Sequence, residues 1–374
     1  MRSFAAGVVL MVVGCAQPPP VVCGVTPTRE AGPGDGGTAN PHSSDEARKL
    51  LSWLRTLPSR TNQRVLAGQQ VGAANYRLQE GYDDCVEGLH AATGKYPALV
   101  GFDLGYGTLG TDEELEAIHV MARDYAAQGG VIEINLAIGN PQTGGNVDDL
   151  NFTTMKDLAV PGSKTQTAWR EMMDHVATLL TKLRDDRVPV LFRPFHEMNI
   201  AAFWWSRQGA SQFVCPEDFV AAWRALFTDF SEHRGLDNLL WVYAPNVPLD
   251  ERAKPTDYYF PGAAYADISG VDFYSRDMAD LNTGSAYETA SALTGVFGLT
   301  EFGPAATGAA RGDFDMTRVI DAIKTDFPKT TFFMNWSSWT NITGAHLQCI
   351  AQNKKASELM NDPWIISRAE VNWR

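Results

Sequence analysis

The sequence predicts a (β/α)8 TIM barrel, a closed ring of eight parallel strands surrounded by helices. Three observations support this prediction. Eight short apolar segments recur along the chain, segments with helical periodicity separate several of them, and the apolar segments are nearly continuous, as in strands that are buried on both faces. Eight such units in about 330 residues fit a barrel better than an open doubly wound sheet.

The strand-like segments follow one another along most of the chain. They are RVLAGQQ (64–70), ALVGFDLG (98–105), GGVIEINLAIG (129–139), VPVLFRPFHE (188–197), NLLWVYAPN (238–246), ADISGVDFYS (266–275), VFGLTEFG (296–303) and KTTFFMNWSS (329–338). The helical segments include DEELEAIHVMARDYAAQ, QTAWREMMDHVATLLTKLRDD, PEDFVAAWRALFTDFSEH and DMTRVIDAIKTDF. Because this alternation continues without a solenoid-length repeat, we expect a single barrel domain over residues 44–374.

Residues 1–15, MRSFAAGVVLMVVGC, predict an export signal. One basic residue precedes an apolar run that is too short to span a bilayer as a mature helix. The last four residues resemble a bacterial lipobox, in which cleavage before Cys15 leaves a lipid-bearing cysteine; an ordinary signal peptide is the alternative. Residues 16–43 are rich in Pro and Gly and predict a disordered tether. We therefore expect an exported protein that contacts a membrane only through a lipid on Cys15.

The remaining cysteines and the charge narrow the class of protein further. The net charge of −13 argues against a nucleic-acid partner, which requires a basic face. No pair of cysteines has the CxxC spacing of a zinc or redox site. In an oxidising compartment one or two disulfides are expected, and their pairing stays open. The four cysteines after the signal are Cys23, Cys85, Cys215 and Cys349.

Two further motifs are weak, and neither predicts a cofactor. GYGTLG (105–110) matches the dinucleotide-binding pattern, but Thr111 begins a capping box whose three acidic residues would repel a pyrophosphate. HEMN does not continue as HExxH, because residue 200 is Ile, and the seven histidines show no metal-ligand spacing. Asp267 and Asp272 suit a structural role better than a calcium site. We expect neither a metal nor an organic cofactor.

Polar residues follow most of the strand-like segments, where a TIM barrel carries its active site. These residues are Asp103 in the second segment, His196 and Glu197 in the fourth, Asn246 in the fifth, Asp272 and Tyr274 in the sixth, Thr300 and Glu301 in the seventh, and Asn335 and Trp336 in the eighth. Strand alternation places Arg193, Phe195 and Glu197 on one side and His196 on the other. It likewise groups Phe297 and Leu299 with Glu301. The two glutamates are then expected to face the barrel mouth together.

Two carboxyl groups across a cleft are what glycoside hydrolysis requires. One protonates the leaving oxygen and needs a raised pKa, which burial or a second carboxylate provides. The other attacks the anomeric carbon as an anion, which a donor such as Tyr274 or a cation such as Arg193 would stabilise. We expect the pKa of Glu197 to lie above, and that of Glu301 below, the ordinary glutamate value. Tryptophans after the fourth and eighth segments would offer flat faces to sugar rings.

RPFHEMN (193–199), the following FWW (203–205) and the later TEFG resemble glycoside hydrolase family 26, known chiefly for β-mannanases. The resemblance extends from VLAGQQ to the NWSSW region, so it covers nearly the whole mature domain. It implies a retaining (β/α)8 glycosidase in which Glu197 is the acid/base and Glu301 the nucleophile. It also implies that the nucleophile accepts a hydrogen bond from Tyr274. The residues expected to bind the sugar are His196, Trp205 and Trp336, with Arg193 and Asn246 as further candidates for substrate binding.

The sequence departs from the mannanase pattern at three positions. Leu136 and Ala137 stand where many members of the family have a Trp-His pair, and Ile200 replaces the usual Gly after HEMN. An endo-β-1,4-mannanase acting on mannan or glucomannan as a monomer is the leading expectation. A β-1,3-xylanase or a mixed-linkage β-1,3-1,4-glucanase of the same family stays open. A carbohydrate-binding lipoprotein without turnover is the alternative from another class.

Overall fold

The computed structural model describes residue 23 and residues 37–374, with gaps at 106, 152–154, 209–211, 306–309 and 342–343. Eight parallel strands form the barrel, and β8 pairs with β1 to close the ring. The strands are β1 (Val65–Ala73), β2 (Leu99–Asp103), β3 (Val131–Leu136), β4 (Val190–Pro194), β5 (Leu239–Tyr243), β6 (Ile268–Tyr274), β7 (Phe297–Gly303) and β8 (Thr330–Asn335). Seven predicted segments contain their strands completely, and β1 extends three residues beyond the first segment, so the predicted fold class is confirmed.

Helices cover the outside of the barrel. They are α1 (Asp45–Thr56), α2 (Leu78–Tyr82), α3 (Gly88–Thr93), α4 (Asp112–Ala127), α5 (Lys164–Asp185), α6 (Pro216–Thr228), α7 (Ala286–Ala290), α8 (Thr317–Thr325) and α9 (Ala356–Met360). The predicted capping box is present at α4, where the Thr111 hydroxyl accepts from the Glu114 N–H and the Glu114 carboxylate accepts from the Thr111 N–H. This reciprocal pairing satisfies two of the donors that a helix leaves open at its start.

Shorter elements lie in the loops between strands and helices. Two antiparallel hairpins are Arg207–Gln208 with Gln212–Phe213 and Trp339–Asn341 with Gly344–His346, and Ile365–Ile366 pairs with β1. Short 3-10 segments are Leu57–Ser59, Met155–Leu158, Met278–Ser285, Ile350–Gln352 and Arg368–Glu370, and single π turns are Asp83–Glu87 and Asp229–His233. The hairpin at 207–213 follows β4 and therefore lies at the end of the barrel where the strands stop.

The barrel interior is apolar at its N-terminal end and polar at its C-terminal end. Leu99, Leu191 and Phe332 belong to an inner cluster with almost no exposed surface. Gly298 is required beside this cluster, because a Cβ atom there would lie 2.3 Å from the Phe332 ring. The layer above holds the buried polar residues Gln70, Glu133, Asn135, Arg193 and Asp272. Since burying such groups is costly unless they pair, this polar layer indicates where the chemistry of the protein lies.

The described N-terminal residues pack on the opposite end of the barrel. The Ala39 N–H donates to Asp267 Oδ1 over 2.6 Å, and the same carboxylate accepts from the Trp241 N–H over 2.8 Å. Compact structure therefore begins several residues before the boundary at Ser44 that composition predicts. The predicted signal, with Cys15, and most of the predicted tether lie outside the described residues. Within the described residues no helix is both long and apolar enough to cross a membrane.

Two disulfides join cysteines that are far apart in the chain. Cys23 pairs with Cys215 and Cys85 pairs with Cys349, across 192 and 264 residues of sequence. The structure thus selects one of the three pairings that the sequence left open. The first disulfide attaches the predicted tether to the start of α6, and the second joins the π turn that follows α2 to the segment after β8. Closing such long loops stabilises a fold mainly by restricting the unfolded chain.

Candidate active site

The C-terminal ends of the strands surround a cavity of about 1030 Å³. It is the volume expected of a site for a sizeable ligand. Six of the eight predicted site residues line its wall, and they come from the ends of β4, β5, β6, β7 and β8. They are His196, Glu197, Asn246, Tyr274, Glu301 and Trp336. Arg193 and Trp205 do not line the cavity, and both are completely buried.

Two residues with left-handed backbone bring Glu197 to the cavity. β4 ends at Pro194, and the next residues alternate in conformation, with φ of 52° at Phe195 and 51° at Glu197. Non-glycine residues in this region cost roughly 1–3 kcal/mol each and cluster at functional sites. The Glu197 N–H donates to the Ala244 carbonyl over 2.8 Å, which holds this turn against the end of β5.

The predicted alternation after β4 is therefore wrong for Phe195. Its ring points away from the cavity and packs on Trp169 and Trp204 at centroid distances of 5.5 and 6.2 Å. His196, which alternation placed on the other face, lies on the cavity wall beside Glu197. Alternation holds only for regular strand, and the left-handed residues on either side of His196 remove it.

A β-bulge in β7 turns Glu301 into the cavity. Leu299 is opposite Val271 on β6, whereas the next residue of β6, Asp272, is opposite Glu301, so Thr300 is the extra residue. Phe297 and Leu299 pack with outer residues such as Ile320 of α8. The prediction that they share a side with Glu301 is wrong, because the bulge reverses the alternation between Leu299 and Glu301. Bulges of this kind commonly redirect a side chain next to an active site.

Arg193 connects the nucleophile candidate to two further acids. Its guanidinium donates to Glu133 Oε1 over 3.0 Å, to Asp272 Oδ2 over 2.9 Å and to Glu301 Oε2 over 3.0 Å. The structure corrects the expectation that Arg193 contacts substrate, because its side chain has no exposed surface. The residue acts instead as the cationic neighbour of Glu301.

Each catalytic candidate also receives a neutral hydrogen bond. The Tyr274 hydroxyl donates to Glu301 Oε1, and burial raises the pKa of Tyr274 well above its ordinary value, so that this phenol keeps its proton. The Asn246 side-chain amide donates to Glu197 Oε1. Asn246 is itself held by Asn199, whose Oδ1 accepts from the Asn246 N–H over 2.7 Å. Asn199 belongs to the HEMN motif, but sequence reasoning gave it no role.

Burial and mutual repulsion separate the acidities of the two glutamates. Burial, together with the charge of Glu301, raises the pKa of Glu197 to about 8. Burial also raises the pKa of Glu301, while Arg193 and Tyr274 act in the opposite direction. The predicted direction is thus confirmed for Glu197 and wrong for Glu301, because desolvation exceeds the attraction of Arg193. Glu301 still ionises first, since two donors stabilise its carboxylate.

His196 and an aromatic stack form the wall beside Glu197. Burial and the charge of Arg193 lower the pKa of His196 well below its ordinary value, so the imidazole stays neutral. Trp205 lies behind this wall, and its indole N–H donates to the His196 carbonyl over 2.8 Å. Its ring stacks on Phe203 at 4.7 Å with an interplanar angle of 14°.

The expected role of Trp205 as a sugar platform is therefore corrected. Trp205 has 0% exposed surface, so no face of its ring is open to a ligand. Phe203 lies between Trp205 and the cavity and lines the cavity itself, as Trp336 does from the other side. The FWW motif located the right aromatic cluster, but sequence alone could not tell which of its three rings faces outward.

The weak motifs occupy structural positions. Gly107 of the GYGTLG segment lines the cavity, in agreement with its interpretation as a loop. Asp267 and Asp272 lie at opposite ends of β6, and the described residues contain no cluster of three or more His, Cys, Asp or Glu side chains suited to a metal. Glu133, by contrast, was missed. The available signal was a single charged residue in the middle of the apolar segment GGVIEINLAIG.

The two shifted pKa values predict a bell-shaped dependence of kcat/KM on pH. An acid must be protonated to act, so activity is expected to fall as pH rises through the pKa of Glu197, about 8. A nucleophile must be ionised, so activity is also expected to fall as pH drops through the pKa of Glu301, which burial raises above its ordinary value. Kinetics on a soluble oligosaccharide from about pH 4 to pH 10 would measure both limbs.

The variant Asn246→Ala provides a matched check of the basic limb. The Asn246 amide stabilises the ionised form of Glu197 and so lowers its pKa. Removing that donor is expected to move the basic limb to higher pH while leaving the acidic limb in place. A basic limb that stays unchanged, or that moves to lower pH, would contradict the assignment of this limb to Glu197.

A closed parallel barrel with two carboxyl groups of unequal acidity facing one cavity defines a glycoside hydrolase. Comparison with known sequences agrees, because residues 39–370 match the profile described as glycosyl hydrolase family 26. The chain belongs to this family.

Relatives and solved structures cover nearly the whole chain. A mannan endo-1,4-β-mannosidase of Bacillus subtilis (strain 168) is 32% identical over 89% of this chain and 88% of its own length. The mannan endo-1,4-β-mannosidase A and B of Caldalkalibacillus mannanilyticus is also 32% identical, over 90% of this chain and 63% of its own. The structure of the B. subtilis mannanase man26 superposes with a TM-score of 0.77 at 29% identity, covering 90% of this chain and 96% of that one.

Proposed function

We propose that this protein is an endo-β-1,4-mannanase that cleaves mannan or glucomannan by double displacement. One observation carries the proposal: Glu197 and Glu301 face the same cavity, with the more strongly raised pKa on Glu197. The relatives named above as mannan endo-1,4-β-mannosidases support the choice of substrate. A role in carbohydrate binding without turnover is disfavoured, because both catalytic carboxyl groups are present and supported by hydrogen bonds.

The first step uses the two glutamates together. Glu301 attacks the anomeric carbon while Glu197 donates its proton to the departing glycosidic oxygen, so a covalent glycosyl-enzyme forms and an alcohol leaves. Arg193 and Tyr274 hold the two oxygens of Glu301 before attack. These donors fix the direction in which the nucleophile points and keep it ionised at a pH where Glu197 is still protonated.

The second step reverses the role of Glu197. Once Glu301 is esterified it carries no charge, so one of the two causes that raise the pKa of Glu197 disappears. Glu197 is then ionised and can take a proton from the water that attacks the glycosyl-enzyme. The coupling between the two glutamates thus changes the acidity of Glu197 in the direction that each step requires.

The cavity wall suits a sugar chain. Phe203 and Trp336 provide aromatic faces, and the neutral His196 provides a polar group next to Glu197. Such a combination of stacking surfaces and a few placed polar groups is typical of carbohydrate sites. Ala137 lines the cavity with little bulk, so this wall does not by itself decide between β-mannan and the β-1,3-xylan or mixed-linkage glucan of the alternative activities.

Product analysis on four polysaccharides tests the proposal. Mannan and glucomannan are expected to be cut to a series of oligosaccharides, whereas mixed-linkage glucan and β-1,3-xylan are expected to stay largely intact. Proton NMR of the first product formed is expected to show the β-anomer, because two inversions restore the starting configuration. If oligosaccharides are released only from β-1,3-xylan or only from mixed-linkage glucan, that polysaccharide is the substrate and the mannan assignment is wrong. An α-anomer as the first product would contradict double displacement.

We further propose that the protein is exported, is attached to the cell envelope by a lipid on Cys15, and acts as a monomer. The sequence of residues 1–15 supports export and lipidation. Two disulfides fit an oxidising compartment outside the cytoplasm. Mass spectrometry of the mature N-terminal peptide would detect the lipid, and light scattering would give the oligomeric state.

A further inference from the structure

Arg193 lies at the centre of the barrel and is shared by carboxylates from three strands. Nε donates to Glu133 of β3, Nη1 to Asp272 of β6 and Nη2 to Glu301 of β7, all within 3.0 Å. A guanidinium group is planar, and its nitrogens keep fixed positions relative to one another. The bonds at Nε and Nη1 therefore determine where the N–H group that meets Glu301 points.

Glu133 contacts the site only through this arginine within the described part of the chain. Its side chain has 0% exposed surface, and Oε2 has no hydrogen-bond partner among the described residues. Gly101 of β2 is its neighbour in the sheet, and the side chain of Gln70 fills the space above that glycine, 1.9 Å from where a Cβ atom would be. Glu133 is thus enclosed beneath the cavity and does not touch a ligand there.

Stability alone gives a poor reason for a charged residue at this position. Taking a carboxylate out of water costs several kcal/mol. Replacing a buried ion pair by apolar residues of similar size often leaves the free energy of unfolding unchanged or increases it by roughly 1–4 kcal/mol. One cation here faces three carboxylates, so the arrangement is also short of positive charge. The residue is better explained by what it does to Arg193.

We propose that Glu133 is a positioning residue for glycosyl transfer, which orients Arg193 so that its guanidinium directs the nucleophile Glu301. This inference rests on the proposed function, because it assigns a role within that reaction. With Nε fixed, Nη2 is held on Glu301 Oε2.

The charged groups around Glu133 come from five neighbouring elements. Arg193 is the cation, and Asp272 and Glu301 are the acids that share it, while Arg193 also lowers the pKa values of Glu197 and Asp103 above them. Burial raises the pKa of Glu133 to about 7, with Arg193 opposing and the charge of Glu301 adding to the increase. Glu301 therefore ionises before Glu133, and a protonated Glu133 still presents an oxygen to the Arg193 Nε–H.

Glu133 is a cleaner target for mutation than Asp272. Asp272 Oδ1 accepts from the Thr300 hydroxyl over 2.7 Å, so its replacement would also disturb the bulge that directs Glu301. A matched control is Asp267→Asn. Asp267 is a buried carboxylate at the other end of β6, where it accepts from backbone N–H groups and does not line the cavity.

The experiment compares Glu133→Ala, Glu133→Gln and Asp267→Asn with the wild type. Rates are measured on 2,4-dinitrophenyl β-mannobioside, whose leaving group needs no proton, so that attack by Glu301 is followed. Glu133→Ala is expected to lower kcat by about 10–100-fold with KM nearly unchanged, because the guanidinium loses an anchor. Glu133→Gln retains an oxygen for Nε and is expected to recover most of kcat. Its acidic limb is expected to stay in place, because Glu133 keeps its proton at the pH where Glu301 titrates.

The control separates this role from a loss of folding. Asp267→Asn is expected to lower the melting temperature while leaving kcat and both pH limbs unchanged. If Glu133→Ala loses stability but keeps wild-type kinetics per folded molecule, or if Glu133→Gln is as slow as Glu133→Ala, the proposal is overturned. Should Glu133→Ala fail to fold, Glu133→Met, which fills the space without an oxygen for Nε, takes its place in this comparison. A wild type that hydrolyses no β-mannoside contradicts the proposed function instead, and the variants are then compared on the β-glycan that it does hydrolyse.

Discussion

Glu301→Ala is expected to lower kcat on mannan by roughly 10⁴-fold or more, because the variant lacks the carboxylate that forms the covalent intermediate. Among the cavity's carboxyl groups, Glu301 receives both the Arg193 and the Tyr274 hydrogen bonds. Without it, Arg193 and Tyr274 have no carboxylate to direct at the anomeric carbon. Steady-state kinetics on soluble mannooligosaccharides would measure the loss.

The fold is expected to survive this substitution. Glu301 is buried next to other acids, so its removal relieves repulsion as well as breaking the Arg193 ion pair. Circular dichroism and thermal unfolding are expected to show a folded protein, and calorimetry is expected to show retained binding of an oligosaccharide. Turnover within a few fold of the wild type would refute Glu301 as the nucleophile.

Glu197→Ala is expected to show a different pattern, in which the loss depends on the leaving group. Hydrolysis of mannan should fall by about 10³-fold, because a sugar alkoxide leaves slowly without a proton. With a 2,4-dinitrophenyl β-mannoside the first step needs no acid, so a burst of dinitrophenol should appear and the glycosyl-enzyme should accumulate. The second step is slow in this variant because the attacking water has lost its base.

Azide provides a direct check of the two roles. A small anion that needs no deprotonation can replace the water in Glu197→Ala, and the expected product is a β-glycosyl azide formed at a rate far above hydrolysis. In Glu301→Ala the anion can only attack from the vacated side, so an α-glycosyl azide is expected. If NMR finds the two configurations exchanged between the variants, the assignments of acid/base and nucleophile must be exchanged as well.

The sequence was a reliable guide to the barrel because each strand is buried on both faces. Segments such as GGVIEINLAIG stay apolar through the whole strand, and a polar residue marks the point where the strand leaves the core. That rule located Glu197, Asn246, Tyr274 and Glu301, all of which line one cavity. It works because the hydrophobic pattern along a strand depends on burial, which is a local property of the sequence.

Side-chain direction was less predictable. The alternation rule failed for Phe195, where the backbone is left-handed, and for Leu299, where β7 contains a bulge. The rule also had no means of choosing among the three rings of FWW, and Trp205 turned out to be buried behind Phe203. In each case the deciding contact comes from another part of the chain, such as the Ala244 carbonyl that holds Glu197.

The sequence by itself determined the closed barrel and the two glutamates at its mouth, because strand burial and residue type are local properties of the chain. Only the tertiary structure decided the disulfide pairing, the position of Glu133 beneath the cavity and the raised pKa of Glu301. These features depend on how far apart groups from different strands lie and on how much water reaches them. Distance and desolvation are set by the packing of the whole ring, and no short segment contains that information.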